Sequence, residues 1–355
     1  MHRAFASPLA AVAGLLLALA VIAPAPTAAG GLSQHDLDLY RAAFRHAGNE
    51  QWEDAVRIAA EPEDRLPAKV IRWLDLARPR SGNSFSAITD FIRANPRWPN
   101  QNGLLRQAES TMPTDMADAL VLAWFEDHPP VSAAGVTRHA EALSHGGQAG
   151  KAAELVRRFW VDANFTESDD ELEFRRRFAS VLRQKDHLAR LDRVLWDHHT
   201  SAARRLLALV DEGHQKVALA RLALSDDESG IDGALAAVPD SLRADPGLLY
   251  ERLRWRRRKD SDPGALEILM SPPSELGRPA LWWTERAILV RRLLAKRDFA
   301  DAYRLASLHG QTSGPTQGEA EFLAGWLALR FLAKPAAAMD HFQRLYKGAS
   351  TTMTK

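Results

Sequence analysis

Carboxylic acids are the first residues in this chain whose type and setting could do chemistry. Two Glu-Ser pairs place an acid beside a hydroxyl: Glu109-Ser110 in "GLLRQAESTMP" and Glu167-Ser168 in "FTESDDELEF". A single carboxylic acid in an apolar cleft can protonate a glycosidic oxygen. Neither pair sits beside a glycine-rich or aromatic-rich cleft motif. Glu109 reads as a surface residue of a helix that breaks at Met112-Pro113. Glu167 precedes an acidic helix start, where negative charge complements the helix dipole. Histidines come next: His139, His145, His187, His198, His199 and His214. No His-Glu-x-x-His occurs, and none of these six has a carboxylate at metal-ligand spacing. Adjacent His198 and His199 point about 100° apart on a helix. No G-x-G-x-x-G, P-loop or G-x-S-x-G is present, so nucleotide binding and hydrolase-elbow chemistry have no handle.

Two further clusters invite a binding role. The run "YERLRWRRRKD", Tyr250–Asp260, could grip an anionic polymer. Its simpler reading is a solvated helix face whose arginine stems cover apolar neighbours, with Leu249 and Leu253 on the buried side. Trp282-Trp283 could stack on sugar rings. The simpler reading puts one of the pair inward and the other partly out, filling grooves between helices.

The elements that must position these residues follow from composition. The 355 residues carry a formal net charge of +1, which argues against a dedicated nucleic-acid binder. There is no cysteine, which excludes thiolate catalysis, Cys-ligated zinc and iron–sulfur clusters. The first residues, "MHRAFASPLAAVAGLLLALAVIAPAPTAAG", place Arg3 before an apolar run from Leu9 to Ile22 and then small residues. This is the pattern of a secretory signal peptide spanning 1–29 and cleaved after Ala29, the other reading being an uncleaved anchor. Residues 30–355 then carry the fold of an exported, periplasmic chain, with no membrane span once the leader is removed. Strand signals are nearly absent, and apolar residues recur at three- and four-residue spacing, so the expected class is all-α.

A repeated pattern supports a finer expectation. A polar turn is followed by a buried-type alanine and aliphatic or aromatic residues at Ala55, Ala87, Ala152, Ala218, Ala302 and Ala338. The step from Ala55 to Ala87, like that from Ala302 to Ala338, is close to the length of one helical hairpin of the tetratricopeptide kind. Such hairpins stack into a solenoid of roughly 18–20 helices, curved or ring-shaped. Prolines at 62, 67, 96, 99, 129, 130, 239, 246, 272, 273, 279 and 335 punctuate it. "GEAEFLAGWLALRFLAKPAAAMDHFQRLY" reads as an interior hairpin, Glu319–Ala333 turning at Lys334-Pro335 into Ala336–Tyr346. Gly325 and Ala338 are its expected close contacts, and Trp326, Phe331 and Phe342 its bulk.

That last segment, together with "WWTERAILVRRLLAKRDFADAYRLASLHG", resembles the helical region of soluble lytic transglycosylases, exported bacterial enzymes that cleave peptidoglycan. The match rests on Trp282-Trp283, Glu285-Arg286, Ala302-Tyr303, His309-Gly310, Glu319, Glu321-Phe322, Gly325-Trp326, Leu329-Arg330, Leu332, Pro335, Ala338 and His341-Phe342. "FWVDANFTESDDELEFRRRF", "RRRFASVLRQKDHLARLDRVLW", "ARRLLALV" and "DPGLLYERLRWRRR" look similar too, so the resemblance covers most of Trp52 to Tyr346. It implies a superhelix that closes into a ring or horseshoe, followed by a lysozyme-like catalytic domain. There one Glu protonates the oxygen between N-acetylmuramic acid and N-acetylglucosamine, then acts as base on the muramyl 6-hydroxyl. The product is a 1,6-anhydro sugar, and neither metal nor organic cofactor is required.

The chain departs from that family in one respect. The family signature of Glu-Ser, a Ser/Gly-rich stretch and Gly-Leu-Met-Gln has no counterpart, and "GLLRQAES" holds its parts in reversed order. No catalytic, cofactor or metal residue is therefore carried over. The expectation is the helical scaffold part of a periplasmic lytic transglycosylase, truncated before its catalytic domain. Its expected partners are glycan strands and other cell-wall proteins. The alternative is a stand-alone periplasmic scaffold that binds proteins.

Overall fold

The computed structural model describes residues 32–62, 65–165 and 168–348. The leader, the Glu167 acid and the last residues, 349–355, lie outside the described residues. Those described are all-helical, with nineteen α-helices and no strand, in agreement with the class expected from the apolar spacing. They divide into two compact units whose boundary in sequence falls between Val156 and Arg157.

The first unit holds α1 (Gln34–Gly48), α2 (Trp52–Ala59), α3 (Leu66–Ala77), α4 (Phe85–Ala94), α5 (Gln101–Ser110), α6 (Asp118–Asp127), α7 (Ala133–His145) and the start of α8 (Ala149–Asp162). The second holds the rest of α8, then α9 (Ser168–Arg177), α10 (Gln184–Trp196), α11 (Thr200–Leu206), α12 (Glu212–Asp226) and α13 (Ile231–Ala236). It continues with α14 (Pro246–Arg258), α15 (Asp262–Met270), α16 (Pro279–Ala295), α17 (Phe299–Ser307), α18 (Gly314–Arg330) and α19 (Pro335–Gly348). Helix starts are set by local chemistry. Ser33, Ser84, Ser132, Asp211, Asp245 and Asp298 each accept a first-turn backbone N–H. Prolines 67, 246 and 279 sit in first turns, where the missing N–H is not needed.

Within the first unit α1, α3, α5 and α7 touch in succession, each skipping the helix between. Within the second α10, α12, α14, α16 and α18 do the same, while α11, α13, α15, α17 and α19 pack on their chain neighbours. The alanines picked out by the repeat are mostly where two helices approach. Ala55, Ala152, Ala218, Ala302 and Ala338 are buried, and Ala87 is half-buried. The apolar cores succeed one another along the chain, Tyr40–Ile71, Leu76–Ala108 and Met112–Ala142 in the first unit, rather than merging into one centre.

Five connections share one conformation. Glu50, Gly147, His198, Asp260 and Arg297 all lie in the left-handed region, with φ of 62°, 73°, 56°, 55° and 60°. In each, the residue after it returns its N–H to a carbonyl five residues back: Gln51 to His46, Gln148 to Leu143, His199 to Val194, Ser261 to Arg256, Asp298 to Leu293. This bond closes the preceding helix, and the next helix begins immediately afterwards.

Three expectations are corrected. Trp282 and Trp283 are both buried, at 0% and 1% exposure, so neither offers a platform to a sugar. They lie on the two flanks of one sequence-adjacent step in α16, with Trp282 donating to Leu276 O and Trp283 to Glu319. Glu109 is buried rather than on the surface. In the α18–α19 pair Gly325 does meet Phe342 and Ala338 is buried, but Trp326 and Phe331 face water with Phe322 and Leu329.

Candidate functional site

The second unit carries a buried charged residue on each helix of its inner succession: Arg190 on α10, Arg221 on α12, Glu251 on α14, Glu285 and Arg286 on α16, and Glu321 on α18. The positions 190, 221, 251, 286 and 321 recur every 30 to 35 residues. The first unit has Asp75 on α3 and Glu109 on α5, again about one hairpin apart. An unpaired charge in a dry interior is strongly destabilising, so each must find partners.

Most do so at a neighbouring helix end. Arg190 donates to Trp160 O at 2.6 Å and Ala163 O at 2.8 Å, and pairs with Glu171 at 3.0 Å while lying over the Trp160 ring. It thereby satisfies carbonyls that α8 leaves open at its C-terminus. Arg286 donates to Leu305 O near the end of α17 at 3.0 Å, and burial lowers its pKa to about 10. Arg221 binds Asp192 at 2.6 Å above the Trp196 ring. Glu285 takes a forked pair of bonds from Arg257. Asp75 binds Arg72, Arg78 and Asn83. Glu109 accepts from Val131 N at 2.8 Å and from the Ser132 hydroxyl, at the N-terminus of α7. Gly135 leaves the room for its carboxylate, since a Cβ there would stand 2.3 Å from it. Burial pushes the Glu109 carboxyl up, against the opposing hydrogen bonds.

The Tyr250–Asp260 run belongs to the same system. Arg256 bonds Gly264 O and Glu267, Arg257 bonds Glu285, Arg258 bonds Leu224 O and Ser225 O, and Lys259 bonds Asp227. These cations are spent on neighbouring helices and are not presented as a patch to an anionic polymer.

Glu251 has the fewest partners. It is 2% exposed, with Arg254 at 3.5 Å and His198 Nδ1 at 3.8 Å, and burial raises its pKa. Ser225 Oγ stands 3.3 Å from the same Nδ1 of His198, and Arg254 donates to Nε2 at 3.3 Å. A serine, a histidine and a glutamate thus converge, but relay chemistry needs hydroxyl and carboxylate on opposite ring nitrogens. Here both lie at Nδ1. The void they line with Thr200 and Arg221 is about 10 Å³, room for one water and not for a sugar ring. The neighbouring cleft between α10 and α12 is about 260 Å³, floored by Leu188, Leu191 and Val217. Its acids are engaged, Asp192 by Arg221 and Asp245 by the Leu248 N–H.

The densest cluster joins α16 to α19. Glu321 is 2% exposed and accepts from Arg344 Nε at 2.6 Å and His341 Nδ1 at 2.6 Å, with His309 Nε2 at 3.3 Å. The Gln311 N–H donates to His309 Nδ1 at 2.9 Å, so the ring proton is on Nε2 and faces the carboxylate. Burial acts to raise the Glu321 pKa, but bonds from Arg344 and His341 and the charge of His309 outweigh it and hold the carboxyl below its ordinary value. Burial lowers the His309 pKa. Trp283 meets the His309 ring edge-on, and Tyr303 Oη lies 3.4 Å from His341 Nε2. One carboxylate therefore clasps the α17–α18 connection, α18 and α19. Among the described residues no group of three His, Cys, Asp or Glu could hold a metal ion.

Of the six histidines singled out in the sequence, His139 stacks on Phe125, His187 meets Trp160, His145 binds Asp118 and His214 binds Asp211. His199 is the N-cap of α11. Sequence reasoning passed over His309 and His341 as polar-cluster residues. The signal that finds them is the lone Glu inside the apolar run "EFLAGWLAL", one hairpin after the Glu285-Arg286 step. No described helix is long and apolar enough to cross a membrane. No family model matches the chain, and neither a curated protein nor a solved structure matches it.

Proposed function

We propose that the chain is the helical scaffold part of a periplasmic peptidoglycan lytic transglycosylase, holding glycan strands and other cell-wall proteins rather than cleaving glycan itself. The observation that carries this reading is where the resembling residues lie. Trp282, Trp283, Glu285, Arg286, Ala302, His309, Glu321, Ala338 and His341 are all buried, and most take part in the clasp or its packing. The likeness is therefore one of fold-determining residues. The skip-one helix succession and the recurring turn support a solenoid of tetratricopeptide-like hairpins. The two buried acids with raised pKa, Glu109 and Glu251, are engaged at a helix end or beside a void too small for a sugar. This favours a positioning role over a catalytic one.

The test is incubation of the purified protein with purified sacculi. Co-sedimentation without release of 1,6-anhydro muropeptides is expected. Abundant anhydro product would overturn the non-cleaving role, and failure to co-sediment would overturn glycan binding. A second reading, a stand-alone periplasmic protein-binding scaffold, is favoured by the exposed apolar face of α18.

A further inference from the structure

Phe322, Trp326 and Leu329 are 54%, 38% and 52% exposed. Their spacing of four and then three residues puts them on one face of α18, opposite the buried Ala320, Ala324 and Leu327. Met339 and Tyr346 of α19, at 57% and 59%, widen the strip on its α19 side, and Phe342 joins the two helices by packing on Phe322 and Gly325. At ordinary side-chain areas these five residues leave on the order of 500 Å² of apolar surface in water, more than a typical monomer exposes without purpose.

We propose that this face pairs with a second copy of the chain, α18 against α18 in antiparallel orientation about a two-fold axis near Trp326. Two observations point to a copy of itself. The apolar area is about two thirds of the roughly 800 Å² that each partner contributes to a standard interface, the proportion found in homodimers. The charges also fit. Glu319 and Arg330 lie beyond opposite ends of the strip, on the same flank of the helix at 100° per residue, and both are exposed. In an antiparallel pair a flank faces itself. Glu319 of each copy then meets Arg330 of the other, giving two symmetric ion pairs, while Phe322 meets Leu329. A parallel pairing would set Glu319 beside Glu319 and Arg330 beside Arg330.

Sedimentation of the purified protein over a concentration series is the test, with far-UV circular dichroism confirming that each variant keeps its helicity. A monomer–dimer equilibrium is expected. Trp326→Ala, at an exposed position, should weaken it by roughly 100-fold. Arg330→Glu should weaken it by about tenfold at low salt, because both symmetric pairs become repulsive. Glu319→Arg does the same alone, and mixing the two single variants should restore a heterodimer. A strictly monomeric chain would refute the proposal. So would a dimer indifferent to Trp326→Ala, or a mixture no tighter than either single variant.

Discussion

Two buried glutamates respond to pH in opposite directions. Burial raises the Glu109 carboxyl above its ordinary 4.5, so the folded state holds the proton more tightly than the unfolded chain. Its contribution is largest below 4.5 and declines as pH rises through that value toward the folded pKa. Glu109→Gln keeps an acceptor for the Val131 N–H and sheds the charge. It is expected to match or exceed the parent in stability at pH 7 and to lose that advantage at pH 4. Glu321 is held below 4.5 by Arg344, His341 and His309. Its contribution is complete above 4.5 and is lost as pH falls through the folded pKa. Glu321→Gln should cost roughly 1–3 kcal/mol at pH 7 and less at low pH. Urea unfolding at both pH values separates the two, and equal losses would contradict this assignment. The sequence made the acids visible but not their burial. Glu109 looks like any helix-surface acid because its partners, Val131 and Ser132, lie more than twenty residues away. The Trp pair misled for a related reason: adjacent residues on a helix normally diverge, yet α16 is enclosed on several sides, by α14, α15, α17 and α18.

The helix connections were legible only where a glycine or proline marked them. Gly146-Gly147 announces its turn, whereas His198, Asp260 and Arg297 adopt the same left-handed conformation without any such residue. What holds them there is the bond from the following N–H to the carbonyl five residues back, a pattern no residue type betrays. A side chain in this region costs about 1 kcal/mol that glycine does not incur. Gly147→Ala should therefore destabilise by about 1 kcal/mol. A Cβ there meets nothing within 4 Å, so the loss is conformational and not steric. Arg297→Gly should be neutral or stabilising by up to about 1 kcal/mol, since relief of strain competes with the greater freedom of an unfolded glycine. Thermal unfolding of the pair checks both signs. The alanine repeat, by contrast, was read correctly at most positions, because close helix approach admits few other residues.

Over the whole chain, the all-helical class followed from periodicity alone, while the division between Val156 and Arg157 had no Gly- or Ser-rich linker to reveal it; α8 runs through it. Cores that succeed one another along the chain predict unfolding in stages. Leu305→Ala, at a fully buried site in the second unit, should cost about 2–5 kcal/mol. It should speed amide exchange in α16 to α19 and leave α1 to α5 unchanged. Uniform loss of protection along the chain would show a single cooperative block instead. The ladder of buried charges bears on how such a chain assembles. Hairpins of similar shape and greasy faces are nearly interchangeable, so a folding chain can skip one and still bury its leucines. It cannot do so and keep its charges matched. Arg221 takes its acid from α10, and Arg257 on α14 finds its acid on α16. A skipped hairpin strands these ions in a dry interior, and each hairpin thereby carries the address of its proper neighbour.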